Sequence, residues 1–227
     1  MNRRLSLIVG VLPSSRLKNA LLNLLGHTVA SSASIGPVLI FGNTRISADE
    51  MSKVGPLNVF RNVTLVKLGA HSEMGQFNWI SAAPFLIEES TSSVAGEFHL
   101  GTHSSFTSRH YVDASGGVII DEFVTIAGVR SVFMSHGIDV NDSVLDSFPI
   151  HVEKYAMVGG CTNFVMGSVV PAYSVVAMGS VVIKGLDVQN GLYAGTPAKY
   201  KKAVPMGEYS RRTVGAVPPR SKESLLH

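Results

Sequence analysis

The chain has 227 residues, of which 45% are hydrophobic and 15% are charged, and its net charge is +3. This length suits one domain with ample apolar material for a core, and the small net charge argues against nucleic acid as a partner. The single cysteine, Cys161, excludes an intrachain disulfide and fits a reducing compartment such as the cytoplasm.

The first residues resemble the start of a secretory signal peptide, because Arg3 and Arg4 precede an apolar run over residues 5–12. The run is short, and another pattern of polar and apolar residues follows it. We therefore expect this segment to remain part of the protein, with export as the minor alternative. No stretch of the chain approaches the ~20 apolar residues of a membrane span.

Residues 14–25 predict a helix, with Ser14 or Ser15 as its N-cap, four leucines on one face and Gly26 as its stop. We expect residues 1–28 to form a helical cap that covers an exposed strand edge of the structure that follows. A weak peripheral contact with a membrane is a second interpretation of the same segment.

A six-residue spacing of bulky apolar side chains begins directly after this cap, with Val29, Ile35 and Phe41. The spacing blurs or stops in three places, where polar residues, glycine and proline predict loops. These predicted loop insertions lie near residues 43–65, 83–97 and 139–149.

The spacing is clearest between residues 152 and 185, where six consecutive blocks of six each open on a bulky apolar residue. A period of six matches neither a helix nor an alternating strand. It predicts an all-β solenoid, in which short strands form flat faces and stacked coils bury a shared core. An ordinary β-sandwich with glycine-rich turns is the minor alternative.

The closing part of the repeat resembles a known family. Val176-Ala-Met-Gly-Ser-Val-Val, followed by Tyr193-Ala-Gly-Thr-Pro-Ala-Lys199, is similar to the ending of the hexapeptide-repeat acyltransferases, and most similar to those that O-acetylate sugars and polysaccharides. The resemblance implies a left-handed parallel β-helix over residues 29–202, with residues 203–227 as a C-terminal extension. It also implies an O-acetyltransferase that uses acetyl-CoA, assembles as a homotrimer and needs no metal.

The resemblance assigns His136 as the catalytic base, although Ser135 stands where the family commonly has threonine. Histidine titrates near working pH and can take the proton of an acceptor hydroxyl. Such a base needs a partner on its other ring nitrogen, and we predict Asp139 for this role. A backbone carbonyl is the open alternative.

A second polar group, His99, His103 and His110 with Arg109 and Asp113 beside them, is predicted to lie about one coil below His136. The predicted contacts of the sugar or glycan-precursor acceptor are Arg109, His110 and Asp113, together with Asn78. The resemblance places such a contact at Asp113. Polar outward positions on the coils, without any role in binding, explain each of these residues equally well.

The resemblance places acetyl-CoA in a groove between adjacent subunits, where small corner residues let it approach the backbone. Lysines then meet its phosphates as flexible point charges. The predicted coenzyme contacts are Gly159, Gly160, Ala177, Met178, Gly179, Lys184 and Lys199. Two departures from the family affect details of coenzyme binding: Ile183 replaces the usual threonine, and Met157 stands where many relatives carry tryptophan.

Two other functions remain open at this point. A γ-carbonic-anhydrase-like metalloenzyme uses the same solenoid and would need three histidines on zinc, for which His99, His103 and His110 offer the atoms. A non-catalytic solenoid scaffold would bind no coenzyme A.

Overall fold

The computed structural model describes residues 3–205 and 207–219, which form a solenoid of seven coils. Each coil contains three short strands, and each strand pairs in parallel with its equivalent in the next coil. The strands therefore stack into three sheets, which we call A, B and C in chain order. The β-solenoid predicted from the six-residue period is confirmed.

Sheets A and C each contain seven strands in parallel order. The strands of sheet A are β1 (Thr28–Val29), β4 (Arg45–Ala48), β7 (Leu65–Leu68), β10 (Glu97–Leu100), β13 (Val118–Ile120), β18 (Ile150–Val152) and β21 (Val169–Val170). The strands of sheet C are β3 (Leu39–Phe41), β6 (Val59–Arg61), β9 (Trp79–Ser81), β12 (Tyr111–Asp113), β15 (Val132–Met134), β20 (Asn163–Val165) and β23 (Val181–Val182).

Sheet B contains nine strands, and its last strand, β25, is antiparallel to β24. We name the three edges of the solenoid the A–B, B–C and C–A corners, after the sheets that the chain passes between. The strands of sheet B are β2 (Ser34–Ile35), β5 (Lys53–Val54), β8 (Glu73–Met74), β11 (Ser105–Ser108), β14 (Thr125–Val129), β19 (Met157–Val158), β22 (Val175–Val176), β24 (Gly191–Ala194) and β25 (Lys199–Ala203).

Apolar side chains from all three sheets fill the interior in layers. Phe98, Phe106, Phe133 and Phe164 are almost completely buried. The rings of Phe133 and Phe164 stack across consecutive coils, with centroids 4.3 Å apart. Burying a side chain of this size contributes about 1.5–3 kcal/mol, so the repeat of large residues along the coils stabilises the stack as a whole.

The stretch 43–65, for which we predicted a loop, is a regular coil formed by β4, β5 and β6. Its register is hard to recognise from the sequence because the coil length differs along the chain. Leu68 pairs with Ala48, twenty residues earlier, whereas Val170 pairs with Val152, eighteen residues earlier.

Two helices close the open end of the first coil. They are α1 (Arg3–Gly10) and α2 (Arg16–Leu24). The predicted helix over residues 14–25 is confirmed as α2, and Ser15 is its N-cap, with Oγ accepting from Lys18 N at 3.1 Å. Across the described residues, 3–205 and 207–219, no helix has both the length and the apolar character needed to cross a bilayer.

Two insertions leave the coils at the C–A corner. The first contains α3 (Pro84–Glu89), and the second is a hairpin of β16 (His136–Asp139) and β17 (Val144–Ser147). After β25 the chain forms a 3₁₀ turn over Glu208–Arg211 and returns along the A–B corner. There the Tyr155 hydroxyl donates to the carbonyl of Arg212 at 3.2 Å.

Candidate active site

Two neighbouring strands of sheet C end at the C–A corner, and each is followed by polar residues. Asp113 is the last residue of β12 and pairs with Met134, the last residue of β15. Ser135 and His136 come next along the chain. Parallel pairing therefore brings His136 beside Asp113, although one whole coil separates them in sequence.

His136 donates from Nδ1 to Oδ2 of Asp113, and the two atoms are 2.7 Å apart. The side chains of His136 and Asp113 are 30% and 12% exposed. This bond fixes the tautomer of a neutral imidazole, so the lone pair lies on Nε2. Within residues 3–205 and 207–219, nothing hydrogen-bonds to Nε2. His136 is thus an oriented base whose second nitrogen is available to a substrate.

Buried serines hold the Asp113 carboxylate in place. Ser135 Oγ donates to Oδ2 at 3.0 Å, and Ser115 Oγ donates to Oδ1 at 2.6 Å. Both serines are fully buried. Ser135 Oγ also accepts from the backbone N–H of Gly116 at 2.9 Å. Both carboxylate oxygens of Asp113 therefore accept hydrogen bonds from the protein. The carboxylate is held in place to bond His136.

Gly116 allows the hairpin to pack closely against the turn below it. A Cβ at this position would lie 2.7 Å from the backbone N of Phe148 and from the carbonyl oxygen of Ser135. The Phe148 N–H donates to that same Ser135 carbonyl at 2.9 Å and closes the base of the hairpin. The segment that carries His136 is therefore anchored by backbone contacts.

The two insertions contact each other beside the Asp113 network. Helix α3 packs against β17. Ser115 Oγ accepts from the backbone N–H of Ala83 at 3.0 Å, which ties the start of the first insertion to the Asp113 network. Ser147 Oγ donates to Ser90 Oγ at 3.3 Å and joins the two insertions. Helix and hairpin therefore lie side by side next to His136.

Asp139, the predicted partner of His136, is the last residue of β16, next to the turn of the hairpin. Its Oδ1 accepts from the backbone N–H groups of Asn141 and Asp142, at 2.8 and 3.3 Å. The carboxylate that bonds His136 belongs instead to Asp113, which we had predicted as an acceptor contact. Proximity in sequence favoured Asp139, whereas the pairing of consecutive coils favours Asp113.

Asn78 and His110, two of the predicted acceptor contacts, are 1% and 0% exposed and cannot meet a ligand at the surface. Asn78 Oδ1 accepts from the His110 N–H at 2.9 Å, and His110 Nδ1 accepts from the Ser131 N–H at 3.0 Å. Burial lowers the pKa of His110 to about 4. Both side chains hold the B–C corner together. Arg109 is exposed at that corner, 5.7 Å from the ring centroid of Phe77.

His99, His103 and His110 lie in three different places and do not converge. His99 pairs with Glu97 at 2.6 Å on sheet A, and His103 stacks on the ring of Phe123 at the A–B corner. His110 is enclosed in the core beside Phe106. In the part of the chain that the structure describes, no three metal-ligating side chains cluster. The arrangement that a γ-carbonic-anhydrase-like site would need is not formed by these histidines.

Five of the predicted coenzyme residues lie at the B–C corner, in the last two coils. Gly159 is required there by coil packing, because a Cβ would lie 2.6 Å from the backbone N of Met178. Gly179 has a φ of +75°, which favours glycine. Met178 is 75% exposed at the same corner. Within one chain, sheet C separates these residues from His136.

The two predicted coenzyme lysines lie elsewhere. Lys184 is at the C–A corner, with its Nζ 4.4 Å from the ring centroid of Phe148, and so it shares a corner with His136. Lys199 begins β25 and is exposed, as are Lys201 and Lys202 on the same strand. The closing strand therefore presents three ammonium groups near the end of the solenoid.

No family model and no curated protein matches the sequence. Solved structures do match the fold. The polysialic acid O-acetyltransferase OatWY has a TM-score of 0.59 at 14% identity, over 79% of this chain and 86% of its own. A candidate acetyltransferase from Bacillus cereus has a TM-score of 0.53 at 14% identity, over 79% of this chain and 88% of its own. These similarities confirm the predicted left-handed β-helix of the hexapeptide-repeat acyltransferases as the fold of this chain.

Proposed function

We propose that this protein is an O-acetyltransferase that moves an acetyl group from acetyl-CoA to a hydroxyl of a sugar or glycan precursor. The observation that carries the proposal is the bond from His136 Nδ1 to Asp113, which orients the imidazole and leaves its Nε2 to act as the base. The fold it shares with OatWY supports the same reaction class.

The geometry suits general base catalysis by His136. Acetyl-CoA supplies an acetyl group activated as a thioester. Nε2 of His136 takes the proton from the acceptor hydroxyl while the hydroxyl oxygen bonds to the carbonyl carbon of the acetyl group. The imidazolium then gives this proton to the departing thiolate of coenzyme A. Asp113 stabilises the imidazolium that exists between these two steps. No acyl-enzyme is required.

The residues present fit a donor that carries phosphates. Lys184 and the exposed lysines of β25, including Lys199, provide mobile positive charges at the closing end of the solenoid. The glycines of the B–C corner bring backbone groups close to the surface. We therefore keep Gly159, Gly160, Ala177, Met178 and Gly179 as proposed contacts of the donor.

The acceptor contacts are expected on the two insertions. Asp113 is engaged by His136 and two serines, and Asn78 and His110 are buried. His136 begins the hairpin, and α3 packs against the hairpin's second strand. A sugar, with several hydroxyls at fixed angles, suits a polar site of this kind, and the fold shared with OatWY favours a glycan.

We also propose a homotrimer, because one chain places the two halves of the site on different corners. His136 lies at the C–A corner and the glycines at the B–C corner, so the C–A corner of one subunit must face the B–C corner of the next. A closed three-fold ring meets this requirement. The hairpin supports the proposed trimer, because its exposed apolar side chains Ile138 and Val140 suit a contact with a neighbouring subunit. The single cysteine supports a cytoplasmic location.

The test is consumption of acetyl-CoA with a panel of sugars and sugar nucleotides, comparing the parent with His136→Ala and His99→Ala. His99 is a matched control, because it also pairs with a carboxylate at 2.6 Å but lies on sheet A. We expect His136→Ala to lower kcat by at least ~10²–10⁴, the contribution of a general base, and His99→Ala to leave it unchanged.

Equal activity of the parent and His136→Ala would assign the base elsewhere. Absence of turnover together with absence of coenzyme A binding would favour the scaffold. Light scattering of Val140→Asp tests the trimer: we expect smaller particles and lost activity despite an intact His136, and an unchanged mass with full activity would contradict the shared site.

A further inference from the structure

The two N-terminal helices bury several polar side chains and leave several large apolar side chains exposed, although Leu22 of α2 is buried in the core. On α2, Lys18 and Asn19 are 0% and 2% exposed, whereas Leu17 and Leu24 are 69% and 83% exposed. On α1, Ile8 is 60% exposed. A helix that packs on a protein core normally shows the opposite pattern.

The inward polar groups are committed to closing the first coil. Lys18 Nζ donates to the carbonyl of Gly36 at 2.7 Å, and Asn19 Nδ2 donates to the carbonyls of Ala30 and Ala33 at 3.0 and 2.8 Å. Buried backbone carbonyls need such donors, and no further coil lies below to supply them. Lys18 and Asn19 therefore occupy the inward face of α2 together with Leu22, and Leu17 and Leu24 remain outside.

We call the resulting surface the cap face. Its helices pack against each other, so their outward side chains cover one end of the solenoid. Exposed apolar area concentrated at one place usually marks an interaction site. The cap face consists of Ile8, Val11, Leu12, Leu17 and Leu24.

Charge around the cap face is of one sign. Residues 1–48 contain five arginines and lysines and no aspartate or glutamate, whereas the rest of the chain contains fourteen basic and sixteen acidic residues. Lys18 is buried, but Arg4 and Arg16 are exposed beside the apolar side chains. The cap end is therefore basic, although the remainder of the chain carries a small net negative charge.

We propose that the cap face docks onto an anionic membrane surface, with its apolar side chains in the interface and its arginines against lipid headgroups. Exposed apolar side chains flanked by arginine and without acidic residues are typical of helices that lie in a bilayer interface. Anionic lipids attract such basic segments. This inference is independent of the reaction proposed above.

The same charges oppose a second copy of the chain as the occupant. Two cap faces placed together would bring Arg4 and Arg16 of each copy near those of the other, with no carboxylate in residues 1–48 to pair with them. Like charges brought together in this way weaken an interface. A membrane supplies both the apolar layer and the negative charge that the cap face lacks.

Docking by the cap face sets the position of His136 above the membrane. His136 follows the fifth coil, four coil steps from the first, and neighbouring strands are about 4.8 Å apart. If the solenoid axis stands along the membrane normal, the candidate active site lies about 19 Å above the cap end.

The test is flotation of the full chain with lipid vesicles, using phosphatidylcholine alone and phosphatidylcholine mixed with phosphatidylglycerol. We expect binding to the anionic vesicles, little binding to the neutral ones, and release at high salt. The double variant Leu17→Gln, Leu24→Gln should bind the anionic vesicles at least about tenfold more weakly. Arg4→Gln combined with Arg16→Gln should remove the preference for phosphatidylglycerol.

The matched control is Val217→Gln, because Val217 is 60% exposed, as Ile8 is, but lies in the segment that follows β25. It should bind vesicles like the parent. The melting temperatures of all variants should agree within a few degrees, since the substituted side chains are exposed. The proposal is overturned if the parent does not bind anionic vesicles, or if the double variant Leu17→Gln, Leu24→Gln binds them as strongly as the parent. It is also overturned if the double variant binds vesicles like the parent and differs only in forming a smaller oligomer in light scattering.

Discussion

Oδ2 of Asp113 lies 2.7 Å from Nδ1 of His136, although the two residues belong to different coils. The bond exists because β12 and β15 pair in register and both end at the C–A corner. The orientation of the base therefore depends on the stacking of two coils. A shift of one coil against the other would move the carboxylate away from the imidazole and break this bond.

The first prediction concerns this carboxylate. Asp113→Asn should lower kcat by ~10²–10⁴, because the amide cannot stabilise the imidazolium and can favour the wrong tautomer. Asp139→Asn is the matched control, since Asp139 accepts only backbone bonds in the hairpin turn and should retain nearly full activity. Steady-state kinetics with the best acceptor measures both. A larger loss for Asp139→Asn than for Asp113→Asn would reverse the assignment.

The second prediction distinguishes two roles of Ser135, which are orienting Asp113 for catalysis and stabilising the fold. Ser135→Ala leaves the buried Gly116 N–H without its acceptor, which costs about 1–3 kcal/mol of unfolding free energy, and removes one donor to Asp113. Ser104→Ala is a close structural match, because Ser104 is also fully buried, donates to the Asp121 carbonyl and accepts from the Val124 N–H.

Urea unfolding should show similar losses of stability for Ser135→Ala and Ser104→Ala. Only Ser135→Ala should lower kcat, since it alone touches Asp113. If both variants lose activity in proportion to their stability, Ser135 has no role in orienting the site.

The third prediction concerns pH. Burial lowers the pKa of His27 and of His110 to about 4, below the unfolded value near 6.5. Above pH 6.5 both states are neutral at these positions, so their contribution to stability is fully present. Between pH 6.5 and 4 the unfolded chain binds protons that the folded chain excludes, so stability falls as the pH falls, by ~1.4 kcal/mol per pH unit for each histidine.

Urea unfolding at pH 7.5 and pH 5 checks this prediction. His27→Asn should show a smaller loss on acidification than the parent, even if its stability at pH 7.5 is lower. His151→Gln serves as the opposite case, because the hydrogen bond to Asp121 raises the pKa of His151 and stabilises the folded state below pH 6.5. An identical pH dependence for the parent and His27→Asn would contradict the account.

The fourth prediction concerns the buried Lys18. Lys18→Met should cost about 1–3 kcal/mol for each carbonyl that it leaves without a donor, because the ammonium group bonds the carbonyls of Gly10, Leu12 and Gly36 at 2.7–2.9 Å. Lys53→Met is the control, since Lys53 is 59% exposed in its pair with Glu73 and such surface pairs contribute about 0–1 kcal/mol. Urea midpoints measure both, and equal costs would show that α2 is not anchored by Lys18.

The period of six predicted the architecture because every coil must bury a large side chain at each flat face. The clearest blocks, from Val152 onward, lie where coils are eighteen residues long. Earlier coils carry two extra residues, which blurred the register over residues 43–65. The six-residue spacing was also wrong at single positions. Phe41 fits the spacing, but Ile40 is the residue that is buried in the core.

The sequence by itself determined the solenoid, the capping helix α2 and His136 as the residue to examine, because periodic burial, cap chemistry and a recognisable closing motif are local properties. Only the tertiary structure decided the partner of His136, the burial of Asn78 and His110, and the separation of the glycine corner from the base. These depend on which residues of consecutive coils fall into register, and insertions of variable length change that register without leaving a local signal. The outward leucines of α2 have the same origin, since the carbonyls of the first coil required Lys18 and Asn19 on the inside.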